Sequence, residues 1–152
     1  MLKLSNYFYS KGLSMSTLPR PKNPELNPRV KVVFDDIRAT RGSDFINNLW
    51  HYLAFDADLL EKTWKDVKEV MAKPSHLDPI TKELIYAAVS IANSCEYCIH
   101  SHTAAARAQG MTDKQYAEFL SIVSLAGRTN NLLNGIKVPV DNEFDHQKII
   151  KK

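Results

Sequence analysis

The sequence predicts an all-α protein, a bundle of about six helices, and three observations carry that reading. Apolar residues recur at spacings of three and four over most of the chain, the pattern of helices that each bury one side. Helix start and stop signals punctuate those stretches: Asp78 before Pro79, Thr112 three residues ahead of Gln115, and Gly110 just upstream of that pair. Strand signals are nearly absent, with no alternating run and hairpin turn before "IKVPVD" near the end.

Residues 1–28 hold Pro19, Pro21, Pro24 and Pro28, too dense for a helix interior, so an extended arm is expected there, with Met15 an alternative start. A helical domain is expected over 29–141 and a tail over 142–152. The first helix carries Val30, Val33, Phe34 and Ile37 on one face. After a break near "TRGSD", the second carries Phe45, Leu49, Tyr52 and Leu53, with Ser43 or Asp44 as its cap. The third, "DADLLEKTWKDVKEVMAK", groups Leu59, Leu60, Trp64, Val67 and Val70 or Met71 opposite Glu61, Lys65 and Lys68. Trp50 and Trp64 fall within apolar faces and read as core or subunit interface. The fourth starts at Asp78 and Pro79 and runs through "ITKELIYAAVSIANS"; it is apolar nearly all round, which places it at the centre of the domain. The fifth begins near Cys95 and closes at Gly110, and the sixth is "DKQYAEFLSIVSLAGRTNNLLNGI".

A chain of 152 residues can bury a core without disulfides or metal. Its apolar runs, such as "LIYAAV", are too short to span a bilayer, and "MLKLSNYFYSKGLS" is broken by Ser5, Asn6, Ser10 and Lys11, unlike a signal peptide. A cytoplasmic protein with no membrane partner is expected. Twenty basic residues interleave with seventeen acidic ones except at "QKIIKK", so no basic stripe for nucleic acid stands out. The amphipathic helices carry more apolar surface than one small bundle hides, which points to a homo-oligomer.

The two cysteines lie together in "NSCEYCIHSH". A C-x-x-C pair in a reducing compartment is catalytic, redox-sensing or metal-binding more often than structural. With Ser94 as N-cap, Cys95 and Cys98 occupy the first turn of the fifth helix, where unpaired N–H groups and the helix dipole favour a thiolate. At about 100° per residue, Cys98 lies about −60° and His102 about −20° from Cys95, so the three share a face. His100 points about 140° away. His102, one turn beyond Cys98, is within reach of its sulfur. If the chain reverses at Asn93 and Ser94, the midpoint between Glu83 and His102 falls at that turn, so two antiparallel helices of equal rise bring that carboxylate and imidazole to about one level. Carboxylate, imidazole and thiols together are what an activated cysteine needs. Cys95, Cys98, His100 and His102 are also ligand types zinc accepts, although His100 faces away; two small buried hydrophobes are the plainest reading of the cysteines. Tyr86, one turn from Glu83, reads as wall, and Tyr97 as packing or a hydrogen-bond donor. His51, His76 and His146 have no partner by spacing and read as solvated.

These residues spell E-x11-C-x-x-C-x3-H. Together with "LWHYLAFDADLLEKTW", "LDPITKELIYAAVSIANSCEYCIHSHTAAARAQGMT" and "NNLLNGIKVP", the chain resembles the AhpD-like alkylhydroperoxidases of the carboxymuconolactone decarboxylase family. The resemblance implies an all-helical fold that commonly oligomerises, a peroxidatic Cys98, a resolving Cys95 and a proton relay through His102 and Glu83. The expected reaction is reduction of organic hydroperoxides, an antioxidant role, with a lipoyl or thioredoxin-like dithiol restoring the pair. No bound cofactor is implied, since the thiols are the redox group. The chain departs from the best-known members at Tyr97, where they carry a histidine. Members that are true lactone decarboxylases lack the cysteine pair, which argues against decarboxylation here. The alternative is a non-enzymatic thiol redox sensor or interaction protein of the same fold.

Overall fold

The computed structural model describes residues 16–144; Met15, His146 and most of the expected tail lie outside them. Among the described residues are six α-helices and no strand: α1 (Pro28–Arg41), α2 (Asn48–Leu53), α3 (Ala57–Val67), α4 (Pro79–Ala92), α5 (Glu96–Ala108) and α6 (Asp113–Ile136). Among those residues no helix is long and apolar enough to cross a membrane. The chain divides into two compact units between Pro74 and Ser75.

In the first unit, Asn27 accepts a hydrogen bond from the Arg29 N–H at 3.0 Å, and Pro28 takes the first helical position, where its missing N–H costs nothing. Gly42 ends α1 in the left-handed conformation, φ 62°. Val30, Val33, Phe34 and Ile37 are all buried, as their spacing requires, and Ile46, Trp50, Leu60 and Trp64 complete that core. The two indoles meet edge to face with centroids 5.4 Å apart. Trp64 donates its ring N–H to Asp36 at 2.6 Å, and Lys68 reaches the same carboxylate at 2.7 Å. Those two partners, Lys68 foremost, hold the Asp36 carboxyl below the usual carboxylate range.

Three expectations for this unit need correction. The second helix starts at Asn48 behind Asn47, not at Ser43 or Asp44, so Phe45 and Leu49 are exposed and Ile46 enters the core instead. The third passes into a single π-helical turn, Lys68–Ala72, where of the two residues expected on the apolar face Val70 is exposed and Met71 half-buried; Leu59 is exposed as well. His51 is not solvated: it is half-buried, its ring stands edge-on to Phe34, its Nδ1 has no hydrogen-bond partner, and burial pushes its pKa down. His76 is exposed.

The second unit is built around the pair α4 and α5, with α6 also touching α4. Asp78 caps α4 by accepting from the Thr81 N–H at 3.0 Å, with Pro79 first in the helix. Thr112 and Gln115 make the expected reciprocal capping box at α6. The α4–α5 connection is only three residues long. Ser94 adopts φ 56° and donates its N–H to the Ile91 carbonyl at 3.1 Å, while the Cys95 N–H donates to Ser90 at 2.9 Å. That is the closing pattern of a helix whose terminal residue turns left-handed. Cys95 rather than Ser94 is therefore the N-cap of α5, one residue later than expected, because Ser94 is already used to end α4. Nor is α4 central: Ala87 and Ser90 are buried, but Ile85 and Val89 are 51% and 55% exposed. Composition alone made α4 look buried all round, yet α5 lies along only one of its faces.

Two outcomes follow from this frame. A carboxyl whose folded pKa is depressed contributes stability above its unfolded pKa and loses that contribution as pH falls through the folded value. Asp36→Asn should therefore be less stable than the parent at neutral pH, with the gap closing below the ordinary carboxylate value of 3.8; urea unfolding followed by tryptophan fluorescence across pH checks this, and a constant gap would remove the charge from the account. At Ser94, relief of a left-handed L-residue (roughly 1–2 kcal/mol) exceeds glycine's extra unfolded-chain freedom (about 0.4–1 kcal/mol), so Ser94→Gly should stabilise by about 0.5–1 kcal/mol and Ser94→Val should destabilise, read from denaturation midpoints.

Candidate active site

Cys95 and Cys98 are joined as a disulfide across the first turn of α5, with Cα atoms 5.3 Å apart. Cys95 sits at the N-cap and Cys98 at the third helical position, both half-buried. Backbone N–H groups of that turn have no carbonyl of their own helix ahead of them, so the helix start presents partial positive charge to either sulfur. The Cys95 carbonyl already accepts from the Ile99 N–H at 2.9 Å, and the Ser101 hydroxyl donates to the Cys98 carbonyl at 3.2 Å, which anchors the turn on both sides of the pair.

One turn past Cys98, the His102 Nδ1–H donates to Glu83 Oε2 at 2.6 Å. The α4–α5 pair thus brings together a carboxylate and an imidazole that the sequence places near one level. Both side chains are largely shielded, 20% and 17% exposed, so the contact is little screened by water. An ionised carboxylate can only accept, so Nδ1 carries the hydrogen, and in the neutral ring that leaves Nε2 with the lone pair. An imidazole held by a carboxylate thus lies one helical turn from a pair of bonded sulfurs. Such an arrangement can move a proton to and from a thiol and store two electrons as a disulfide.

The other residues singled out from the sequence fall outside this contact. His100 is exposed, in keeping with its direction on the helix, and Tyr97 is exposed beside the pair. One participant was misread. Tyr86 is no mere wall: its ring stacks on the His102 imidazole, centroids 3.7 Å apart and planes 20° from parallel. The available signal was its register, since Glu83, Tyr86 and Ser90 lie on one stripe of α4 and the Ser90 carbonyl bonds directly to Cys95.

Comparison with known proteins places the chain among relatives of the same fold. The model of the Carboxymuconolactone decarboxylase family matches residues 58–141. Among solved structures, the alkylhydroperoxidase AhpD core from Rhodospirillum rubrum is similar, with 57% identity, a TM-score of 0.82, and coverage of 86% of this chain and 97% of that one. Comparison with curated proteins gives no match. A helix pair carrying this thiol site, a family match over more than half the sequence and a solved relative of that identity lead to one conclusion: the chain belongs to the carboxymuconolactone decarboxylase family and has the AhpD-like fold.

Proposed function

We propose that the protein is a thiol-dependent peroxidase that reduces organic hydroperoxides through the Cys95–Cys98 pair and is recharged by a dithiol reductant, lipoyl or thioredoxin-like, in the cytoplasm. The observation that carries this reading is the His102–Glu83 hydrogen bond, which orients a base one turn from the disulfide. The similarity to an alkylhydroperoxidase core supports the choice of substrate class.

In the reduced state, His102 Nε2 takes the Cys98 thiol proton, and Glu83 balances the resulting imidazolium. The Cys98 thiolate attacks the terminal peroxide oxygen: an S–O bond forms, the O–O bond breaks, and the alkoxide leaves with the proton returned through His102. Cys98 is now a sulfenic acid and the hydroperoxide has become an alcohol. The Cys95 sulfur then displaces that oxygen as water, forming the disulfide. Thiol–disulfide exchange with the reductant returns two electrons and two protons, and the reductant leaves as its own disulfide.

The working form in this proposal is a homo-oligomer. Ile85 and Val89 on α4 and Ile122, Leu125 and Leu132 on α6 are exposed on the single chain, more large apolar groups than an isolated small domain usually shows water.

Reduced protein exposed to an organic hydroperoxide should lose both thiols and 2 Da per chain, a loss fixed by the two hydrogens given up. Cys98→Ser should abolish turnover, and His102→Gln and Glu83→Gln should each lower it by about 10²-fold or more, within the range a general base contributes. Thiols that stay free under excess peroxide would remove the reading, and consumption of a single equivalent in the presence of a dithiol donor would turn it toward a sensor. Sedimentation should give a multiple of the 17.3 kDa chain mass, and a monomer would overturn the assembly.

A further inference from the structure

The relay just described accounts for Glu83 and His102 but gives no role to Tyr86, the third side chain in contact. Tyr86 is 41% exposed, so its ring does not fill a core; one face lies on the His102 imidazole. Its backbone is held in place, because the Ser90 hydroxyl donates to the Tyr86 carbonyl at 2.8 Å and Ser90 is itself buried. Through its own carbonyl Ser90 also accepts the Cys95 N–H, so the segment that carries the phenol is tied to the turn that carries the thiols.

A single hydrogen bond does not fix an imidazole. The contact from Nδ1 to Glu83 Oε2 pins one atom and leaves the ring free to swing about the line joining the two groups. A stacked ring removes that freedom, since tilting the imidazole out of plane breaks contact across its whole face. One bond at an edge and one ring on a face together leave one orientation, and with it one position for Nε2. The electron-rich face of a phenol also attracts a cationic ring more than a neutral one, so the contact strengthens as His102 accepts its proton.

We propose that Tyr86 is a positioning residue of the thiol site: it fixes the plane of the His102 imidazole by ring stacking so that Nε2 stays available to take and return the Cys98 proton. This rests on the acid–base part of the function proposed above and not on the choice of oxidant. The ring is the working part, and the phenol hydroxyl is not needed.

The test uses the reduced full-length protein with Tyr86→Phe, which keeps the ring, and Tyr86→Leu, which keeps apolar bulk without it. Alkylation of Cys98 by iodoacetamide at neutral pH, followed by peptide mass spectrometry, should run within about two-fold of the parent in Tyr86→Phe and about ten-fold slower in Tyr86→Leu. In the parent, long-range nitrogen–proton correlation spectra should show His102 as a single Nδ1–H tautomer with its ring protons shifted upfield by the stacked phenol, and Tyr86→Leu should keep the tautomer that Glu83 sets but lose that shift. Tyr86→Leu alkylating at the parent rate, Tyr86→Phe as slow as Tyr86→Leu, or a parent His102 without the upfield shift would each overturn the proposal. Hydroperoxide turnover is scored separately. If the parent turns over no hydroperoxide while the alkylation rates still separate, the substrate reading fails and Tyr86 keeps its role; if the parent turns over and the rates coincide, Tyr86 loses it.

Discussion

The site depends on one backbone event, the reversal from α4 into α5 at Asn93, Ser94 and Cys95. Because Ser94 turns left-handed, the Cys95 N–H closes back onto Ser90 while its carbonyl opens the next helix at Ile99. A single residue thus belongs to the end of one helix and the start of another. One more residue in the turn would rotate α5 by about 100° and slide it by about 1.5 Å. His102 and the two sulfurs would then turn away together from α4, and the imidazole would leave Glu83.

What could be read in the sequence is what this rigidity makes countable. The helical rise from Glu83 into the turn and from the turn out to His102 is similar enough that the two side chains meet at 2.6 Å. The shared face of Cys95, Cys98 and His102 follows from the same arithmetic, and the caps at Asp78 and Thr112 follow from local hydrogen-bonding chemistry. The misreadings have a common cause, which is that they turned on packing. The start of α2 depended on which of Phe45 and Ile46 the first core would take, and the surroundings of α4 depended on what lies beside it, neither of which periodicity records. His51 looked solvated because nothing in its spacing reveals Phe34 standing over its edge. Tyr86 was on the right stripe, but stacking is a matter of rotamer, and a stripe of residues does not specify one.

The two units are held by different means. Around Phe34, Trp50, Leu60 and Trp64 the first has an ordinary core of large interdigitated side chains. The second buries few large groups among its described residues, chiefly Met111 and Phe119, with Ala87 and Ala106. The geometry of its thiol site is set instead by short-range ties: the Asp78 cap, the Ser90 bonds, the Glu83–His102 contact and the aromatic stack. Local ties of this kind place atoms accurately along a helix pair without requiring a thick interior beneath them.

The brevity of the turn also bears on what oxidation costs the chain. A cross-link ordinarily acts by denying conformations to the unfolded state, and that effect grows with the length of the loop it closes. Here the bond spans a sequence separation of three, inside a turn whose ends are already hydrogen-bonded. Making or breaking it therefore changes little of the conformational freedom open to the unfolded chain. In the function proposed above, each oxidation and reduction of the pair would thus leave the folding equilibrium nearly where it stood.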